Sequence, residues 1–322
     1  FKGRSKMKKF IKCNDLINFD LCVNEIVHSK KNKIKEFDNH NGKVLGLIFF
    51  NPSLRTRLST QKAAMNLGMK TICMNIKDEG WQLEFDDNVI MNSDKAEHIR
   101  EAAKVLSTYC DIIGIRSFAK LSDKKSDLED KVINSFVKHS TVPIINLESA
   151  LSHPLQSLAD AITIKEMKKV KKPKIVLSWA PHPKPLPHAV ANSFIEMCRL
   201  CNFDLTIANP LGYNLDKRIT KEYEIVNQQN DAFKNADFIY AKNWSCFEDY
   251  GKVNIYDNSW TIDENKMNLT NKGFFMHCLP VRRNMIVTDS VLESKNNISI
   301  DQARNRTHAT QFILNKLLKN EN

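Results

Sequence analysis

Residues 44–68 read VLGLIFFNPSLRTRLSTQKAAMNLG, and the turn at their centre decides the fold. The apolar run 44–50 is too short to cross a membrane and suits a parallel strand buried on both faces. Asn51, Pro52 and Ser53 are turn formers, and Ser53 stands where a helix N-cap belongs. Beyond it Leu58, Ala63, Ala64 and Leu67 recur at helical spacing, and Gly68 supplies a stop. A strand that feeds a helix in this way aims free N–H groups and the positive dipole end at one point, where an anion can sit. Ser53 and Thr56 add hydroxyls there, and Arg55 and Arg57 add planar forks suited to phosphate or carboxylate oxygens. A capped helix with two solvated arginines fits the same letters, so the rest of the chain has to choose.

With 322 residues, 42% hydrophobic and 26% charged, the chain is long enough for two domains with real cores. The net charge of +11 invites a nucleic-acid or membrane reading. Against it, the lysines are scattered, with short clusters at 30–35 and 168–174, and no arginine-rich arm, zinc-finger spacing or aromatic RNA-binding pattern occurs. Neither a nucleic-acid nor a membrane partner is expected. No segment approaches the roughly 20 apolar residues of a bilayer span, and the basic N-terminus lacks a signal-peptide core. Met7 stands where a natural start would, leaving 1–6 as a leader or an added segment; the sequence leaves this open. Eight dispersed cysteines without a disulfide rhythm point to a reducing cytoplasm. The pair Cys198 and Cys201 lies in a helical apolar pattern and reads as core rather than as a metal site.

In chain order, 16–27 reads as an amphipathic helix before the organising strand, and 70–76 as the strand after Gly68. The long loop 77–98 follows, holding Trp81 where no helical or strand period explains a tryptophan; a loop of that length is expected to be functional. Then come a helix over 97–106, a strand over 111–115 ending at Arg116, a helix over 128–138 and a strand over 142–147. An arginine at the carboxyl end of a parallel strand points into the crevice where such sheets bind ligands. The alternation predicts a doubly wound α/β domain, and no G-x-G-x-x-G marks a dinucleotide site. The stretch 148–156, ESALSHPLQ, repeats the construction at Ser53: Glu148 at a strand end, then His153, with Pro154 in the first turn of a helix and Gln156 one turn inside. After the crossing at 168–173 a second α/β series begins. Its strands end near three chemical groups: His182 and Lys184 on the four-proline loop 181–187, Lys242 after FIYA, and His277-Cys278-Leu279-Pro280 before Arg282 and Arg283. The closing helix, 303–318, is amphipathic and is expected to return to the first domain. The expected architecture is α/β, two doubly wound parallel-sheet domains joined by interdomain helices. Residues 7–150 with helix 303–318 form one domain and 151–302 the other, with 151–168 as the linking helix.

Three separated blocks, Ser53-Leu54-Arg55-Thr56-Arg57, His153-Pro154-Leu155-Gln156 and His277-Cys278-Leu279-Pro280, together with Arg116, make the chain resemble the carbamoyltransferase family of the ornithine and aspartate enzymes. The resemblance implies that residues 53–57 hold the phosphate of carbamoyl phosphate, and that Thr56, Arg116 and His153 surround its carbonyl oxygen. It implies that Gln156, the carbonyls near Cys278 and Leu279, and Arg282 hold the carbamoyl NH₂ end. No metal or organic cofactor is implied, since phosphate leaves as an already stable anion. The acidic motif by which ornithine enzymes hold a free α-amine is absent here, and the segments around Trp81, His182 and Lys242 look like the branch acting on N-acylated ornithines. There His182 and Lys242 would meet the substrate carboxylate and Glu148 the reacting amine. Ile286 stands where acetyl-specific relatives carry a lysine, and Ala96 matches neither the glutamate of the acetyl branch nor the proline of the succinyl branch; with no charge and room for a longer acyl chain at Ala96, N-succinyl-L-ornithine is expected. The implied reaction gives N-succinyl-L-citrulline and phosphate in arginine biosynthesis, in a homotrimer whose loops around Trp81 and 94–98 complete the neighbouring active site. An N-acetylornithine or ornithine enzyme is the alternative, and a non-catalytic basic binding protein a remote one.

Overall fold

The computed structural model describes residues 7–32, 39–253 and 257–319; the question of residues 1–6 and part of the 30–35 lysine cluster lie outside them. Ten strands form two five-stranded sheets, and every pairing is parallel. The first runs in the order β1-β7-β6-β2-β3, with β1 Lys9–Phe10, β2 Val44–Phe49, β3 Lys70–Asn75, β6 Ile112–Arg116 and β7 Ile144–Glu148. The second runs β10-β9-β8-β11-β12, with β8 Lys174–Trp179, β9 Asp204–Ala208, β10 Glu224–Val226, β11 Phe238–Lys242 and β12 Phe274–Met276. The central strands are buried almost throughout, as their continuous apolar runs require when helices cover both faces. The doubly wound α/β architecture with parallel sheets in two domains is therefore the observed one.

Ser53 caps the helix Leu54–Asn66, its hydroxyl accepting from the Thr56 N–H at 3.2 Å. Gly68, at φ +76°, takes the left-handed conformation that ends it. The buried face of this helix is Thr56, Thr60, Ala63 and Ala64. Leu58, expected in the core, is 57% exposed, because it stands about 200° around the helix from Thr56. The C-terminal helix Ser299–Leu318 packs on both Leu54–Asn66 and the linking helix Pro154–Met167. Phe312, Ile313 and Leu317 are buried along its inner side, each worth about 1.5–3 kcal/mol of apolar burial.

Elsewhere tertiary contacts moved the boundaries. Within the expected loop 77–98, β4 Gln82–Glu84 pairs in parallel with β5 Lys95–His98, and the next helix starts only at Ile99, capped by His98. The helix expected over 128–138 breaks at Asp130, whose carboxylate is drawn to Ser149 Oγ at 2.5 Å and the Ala150 N–H at 3.0 Å. The first helix runs Phe19–Asn32 rather than from residue 16, after a turn through Asn18 at φ +57°. The strands β1 and β10, of two and three residues, were too short to read from sequence pattern. Cys198 and Cys201 are buried in the core of the second domain.

Candidate active site

A cavity of about 410 Å³ opens between the carboxyl edges of the two sheets. Its first wall is the turn after β2, with Ser53, Leu54, Arg55 and Thr56. Asn51 Oδ1 accepts from the Phe118 N–H at 2.6 Å, which ties this turn to the chain leaving β6. Arg116 and Glu148 enter from the ends of β6 and β7. His153 and Gln156 come from the start of the linking helix, where Pro154 at the first position leaves no orphan N–H of its own. Two helix N-termini of 13 and 14 residues therefore meet at one cavity. From the second domain come His182, Lys242, Cys278 and Leu279. His182 lies on the four-proline loop that follows β8, and Lys242 is the last residue of β11.

The buried wall is held by charged hydrogen bonds. Arg116 Nη1 donates to Glu148 Oε2 at 2.6 Å, and His153 Nε2 lies 3.6 Å from the same oxygen. A residue that pattern reading missed, Arg306 of the C-terminal helix, is only 4% exposed. It donates to His153 Nε2 at 3.2 Å, Gln156 Oε1 at 2.8 Å and Thr56 Oγ1 at 3.0 Å. A guanidinium can only donate, so His153 accepts at Nε2 and carries its proton on Nδ1. Burial first, and then Arg306 and Arg116, hold the His153 pKa well below its ordinary value, so the ring stays neutral. Burial lowers Arg306 to about 10 and leaves it charged at neutral pH. Burial raises the Cys278 thiol, which keeps it protonated and unsuited to nucleophilic attack. Burial, then Lys242 and Arg55, lowers His277 to about 3; its Nδ1 accepts from the Leu279 N–H at 2.8 Å and shapes the turn into the site.

Four anticipated residues are not brought to this cavity within one chain. Arg57 lies on the flank of its helix, on the side of Cys73, because two residues of helix turn it about 200° from Arg55. Arg282, expected with Gln156 at the carbamoyl NH₂ end, stands at the rim, its Nε donating to His182 Nε2 at 3.1 Å. Trp81 is 58% exposed, its indole N–H donating to Glu97 Oε2 at 2.8 Å, and Ala96 is exposed on β5 beside it. The signal that could have found Arg306 is its place three and seven residues before Ala309 and Ile313, a charge set within the buried stripe of an amphipathic helix.

An arginine-rich anion cavity with neutral imidazoles, protonated thiol and no thiolate nucleophile suits acyl or carbamoyl transfer to an amine by orientation and electrostatics. The comparisons with known proteins agree. The model of the aspartate/ornithine carbamoyltransferase carbamoyl-phosphate-binding domain matches residues 9–166, and that of the Asp/Orn-binding domain matches 187–317. N-succinylornithine carbamoyltransferase of Bacteroides fragilis (strain 638R) is 47% identical over 98% of this chain and 99% of its own length. N-acetylornithine carbamoyltransferase of Xanthomonas axonopodis pv. citri (strain 306) is 36% identical, covering 96% of both chains. A crystal structure of a mutant N-acetyl-L-ornithine transcarbamylase with carbamyl phosphate and N-succinyl-L-norvaline superposes with a TM-score of 0.90 at 36% identity, over 96% of this chain and 99% of that one. With both halves matched in order and whole relatives matched nearly end to end, the chain belongs to the aspartate/ornithine carbamoyltransferase family.

Proposed function

We propose that this chain transfers the carbamoyl group of carbamoyl phosphate to the side-chain amine of N-succinyl-L-ornithine, giving N-succinyl-L-citrulline and phosphate in arginine biosynthesis. The observation that carries the reading is the meeting of Arg55, Arg116 and Arg306 with two helix N-termini at one cavity. In this reading the turn Ser53–Thr56 holds the phosphate. Thr56, Arg116 and neutral His153 surround the carbonyl oxygen, where charge grows as the amine attacks. Gln156 and the carbonyls of the turn at Cys278 and Leu279 face the carbamoyl NH₂. Glu148 meets the amine, and Lys242 and His182 the acceptor carboxylate. The new C–N bond forms as the carbamoyl C–O bond breaks, and the departing phosphate takes the bonding pair and then the proton that the amine gives up. The domain division at 150, with helix 303–318 completing the first domain, belongs to the same reading and is supported by the packing of that helix.

The succinyl choice is supported by the N-succinyl relatives at 46–47% identity, against 36–38% for the acetyl ones. Ala96 brings no carboxylate to repel the second carboxylate of a succinyl group, and Ile286, at the cavity wall, brings no cation that would favour the acetyl branch. Measuring kcat/KM with N-succinyl-L-ornithine, N-acetyl-L-ornithine and ornithine decides it. The succinyl substrate is expected to lead, with Ala96→Glu moving preference toward acetyl. An acetyl-preferring wild type sinks the acyl assignment, and failure with all three acceptors sinks the reaction.

A homotrimer with shared sites is supported by the apolar stripe Leu54, Leu58 and Met65, which is 57–69% exposed, with exposed Ile72 on β3 and Trp81 nearby in sequence. Monomers rarely leave such a stripe to water. Mixing Trp81→Ala with Arg55→Ala chains should restore activity that each lacks alone, and no recovery after verified subunit exchange counts against sharing. A cytoplasmic location accords with eight free cysteines and with no described helix long and apolar enough to cross a membrane.

A further inference from the structure

Behind the cavity wall lies a carboxylate that does not itself line the cavity. Asp160 sits one turn beyond Gln156 on the linking helix and is completely buried. Its Oδ1 accepts from Gln156 Nε2 at 2.8 Å and from Gln302 Nε2, on the C-terminal helix, at 2.7 Å. Each amide carries its other end toward a group that can only donate. Gln156 Oε1 accepts from Arg306 Nη1 at 2.8 Å, and Gln302 Oε1 accepts from the His277 N–H at 3.0 Å. A primary amide that accepts on one side must present its NH₂ to the other, so both need an acceptor where Oδ1 stands. We propose that Asp160 is a positioning residue that sets both amides at once, aiming Arg306 at Thr56 and His153 on one side and fixing the His277–Leu279 turn on the other.

The proposal rests on the site reading above, since it gives the two sides one ligand, carbamoyl phosphate. Tyr240, Arg306, Cys278, Cys13 and Cys198 are the titratable groups near enough to Asp160 to feel its charge among the described residues. Burial pushes the Asp160 carboxyl up to about 7, yet the arrangement holds in either protonation state. With the proton on Oδ2, Oδ1 still accepts from both amides. An asparagine turned with its oxygen to the amides does the same, whereas leucine leaves two buried NH₂ groups without an acceptor.

The test titrates carbamoyl phosphate alone into wild type, Asp160→Asn, Asp160→Leu and Gln302→Leu, with a melting curve for each. Asp160→Leu is expected to weaken binding about tenfold or more, Asp160→Asn to recover most of that loss, and Gln302→Leu, which cuts only the His277 branch, to weaken binding about threefold. N-succinyl-L-ornithine KM should move less than carbamoyl phosphate affinity in all three, a split that general loosening of the fold would not produce. Gln302→Leu keeps Asp160 in place and carries the test if Asp160→Leu does not fold. Wild-type affinity in folded Asp160→Leu or in Gln302→Leu, or equal losses in the Asn and Leu variants, overturns the proposal. A wild type that fails to bind carbamoyl phosphate overturns the site reading itself, and the proposal with it.

Discussion

The two walls of the cavity are built differently. On the first-domain side Arg116 and Arg306 are 6% and 4% exposed, and their guanidinium groups are anchored by Glu148, Gln156, Thr56 and His153 at 2.6–3.4 Å. On the second-domain side Lys242 Nζ donates, among the described residues, only to the neighbouring Asn243 carbonyl at 3.0 Å, and partly exposed His182 is met by Arg282 from the rim. A wall whose charges are already locked suits a small, rigid anion whose charge changes during reaction, because no reorganisation is then needed in the transition state. A wall with one lysine on a backbone carbonyl can adjust to a longer, flexible acceptor.

Breaking the locked wall should cost most. Arg116→Met leaves Glu148 buried without its partner, and stability is expected to fall by about 3–5 kcal/mol in denaturant titration. Carbamoyl transfer should fall about a hundredfold or more in the fraction that folds, as for loss of an oxyanion donor. Unchanged stability would mean that the first wall is no more locked than the second. On the adjustable wall, Lys242→Met should raise the acceptor KM by an amount corresponding to about 1.5–3 kcal/mol, while carbamoyl phosphate affinity stays within about twofold. A larger effect on carbamoyl phosphate than on the acceptor would erase the division of labour.

The smallest effect is one of pH and probes the floor between the walls. His277 has a folded pKa depressed to about 3 against an ordinary 6.5, so the folded state keeps it neutral while the unfolded chain takes up a proton. The stability this provides is complete above pH 6.5 and is lost as pH falls from there toward 3, reaching about 2 kcal/mol at pH 5. His277→Asn, whose side-chain oxygen can still accept from the Leu279 N–H, should lose that share of the acid sensitivity. Denaturant midpoints at pH 7.5 and 5 for both proteins check it, and equal shifts in the two would show that His277 titrates freely.

The amino-acid sequence by itself determined what depends on near neighbours in the chain. The β2 strand, the Ser53 cap, the Gly68 stop and Pro154 at the head of its helix all follow from turn chemistry and capping within about four residues. Three such blocks, each at a strand end, were enough to place Ser53, His153 and Cys278 at one edge of parallel sheets. Only the tertiary structure decided which helix face meets which surface. Helical spacing put Leu58 and Ala63 in one apolar set, yet the C-terminal helix covers the face of Thr56 and Thr60 and leaves Leu58 outside. The same packing carried Arg306 to a cavity whose other residues lie at least 20 positions away, and left Arg57, close to Ser53 in sequence, beyond its wall. A period states which residues share a side of a helix; what that side touches depends on the long-range docking of elements, and no local pattern records it.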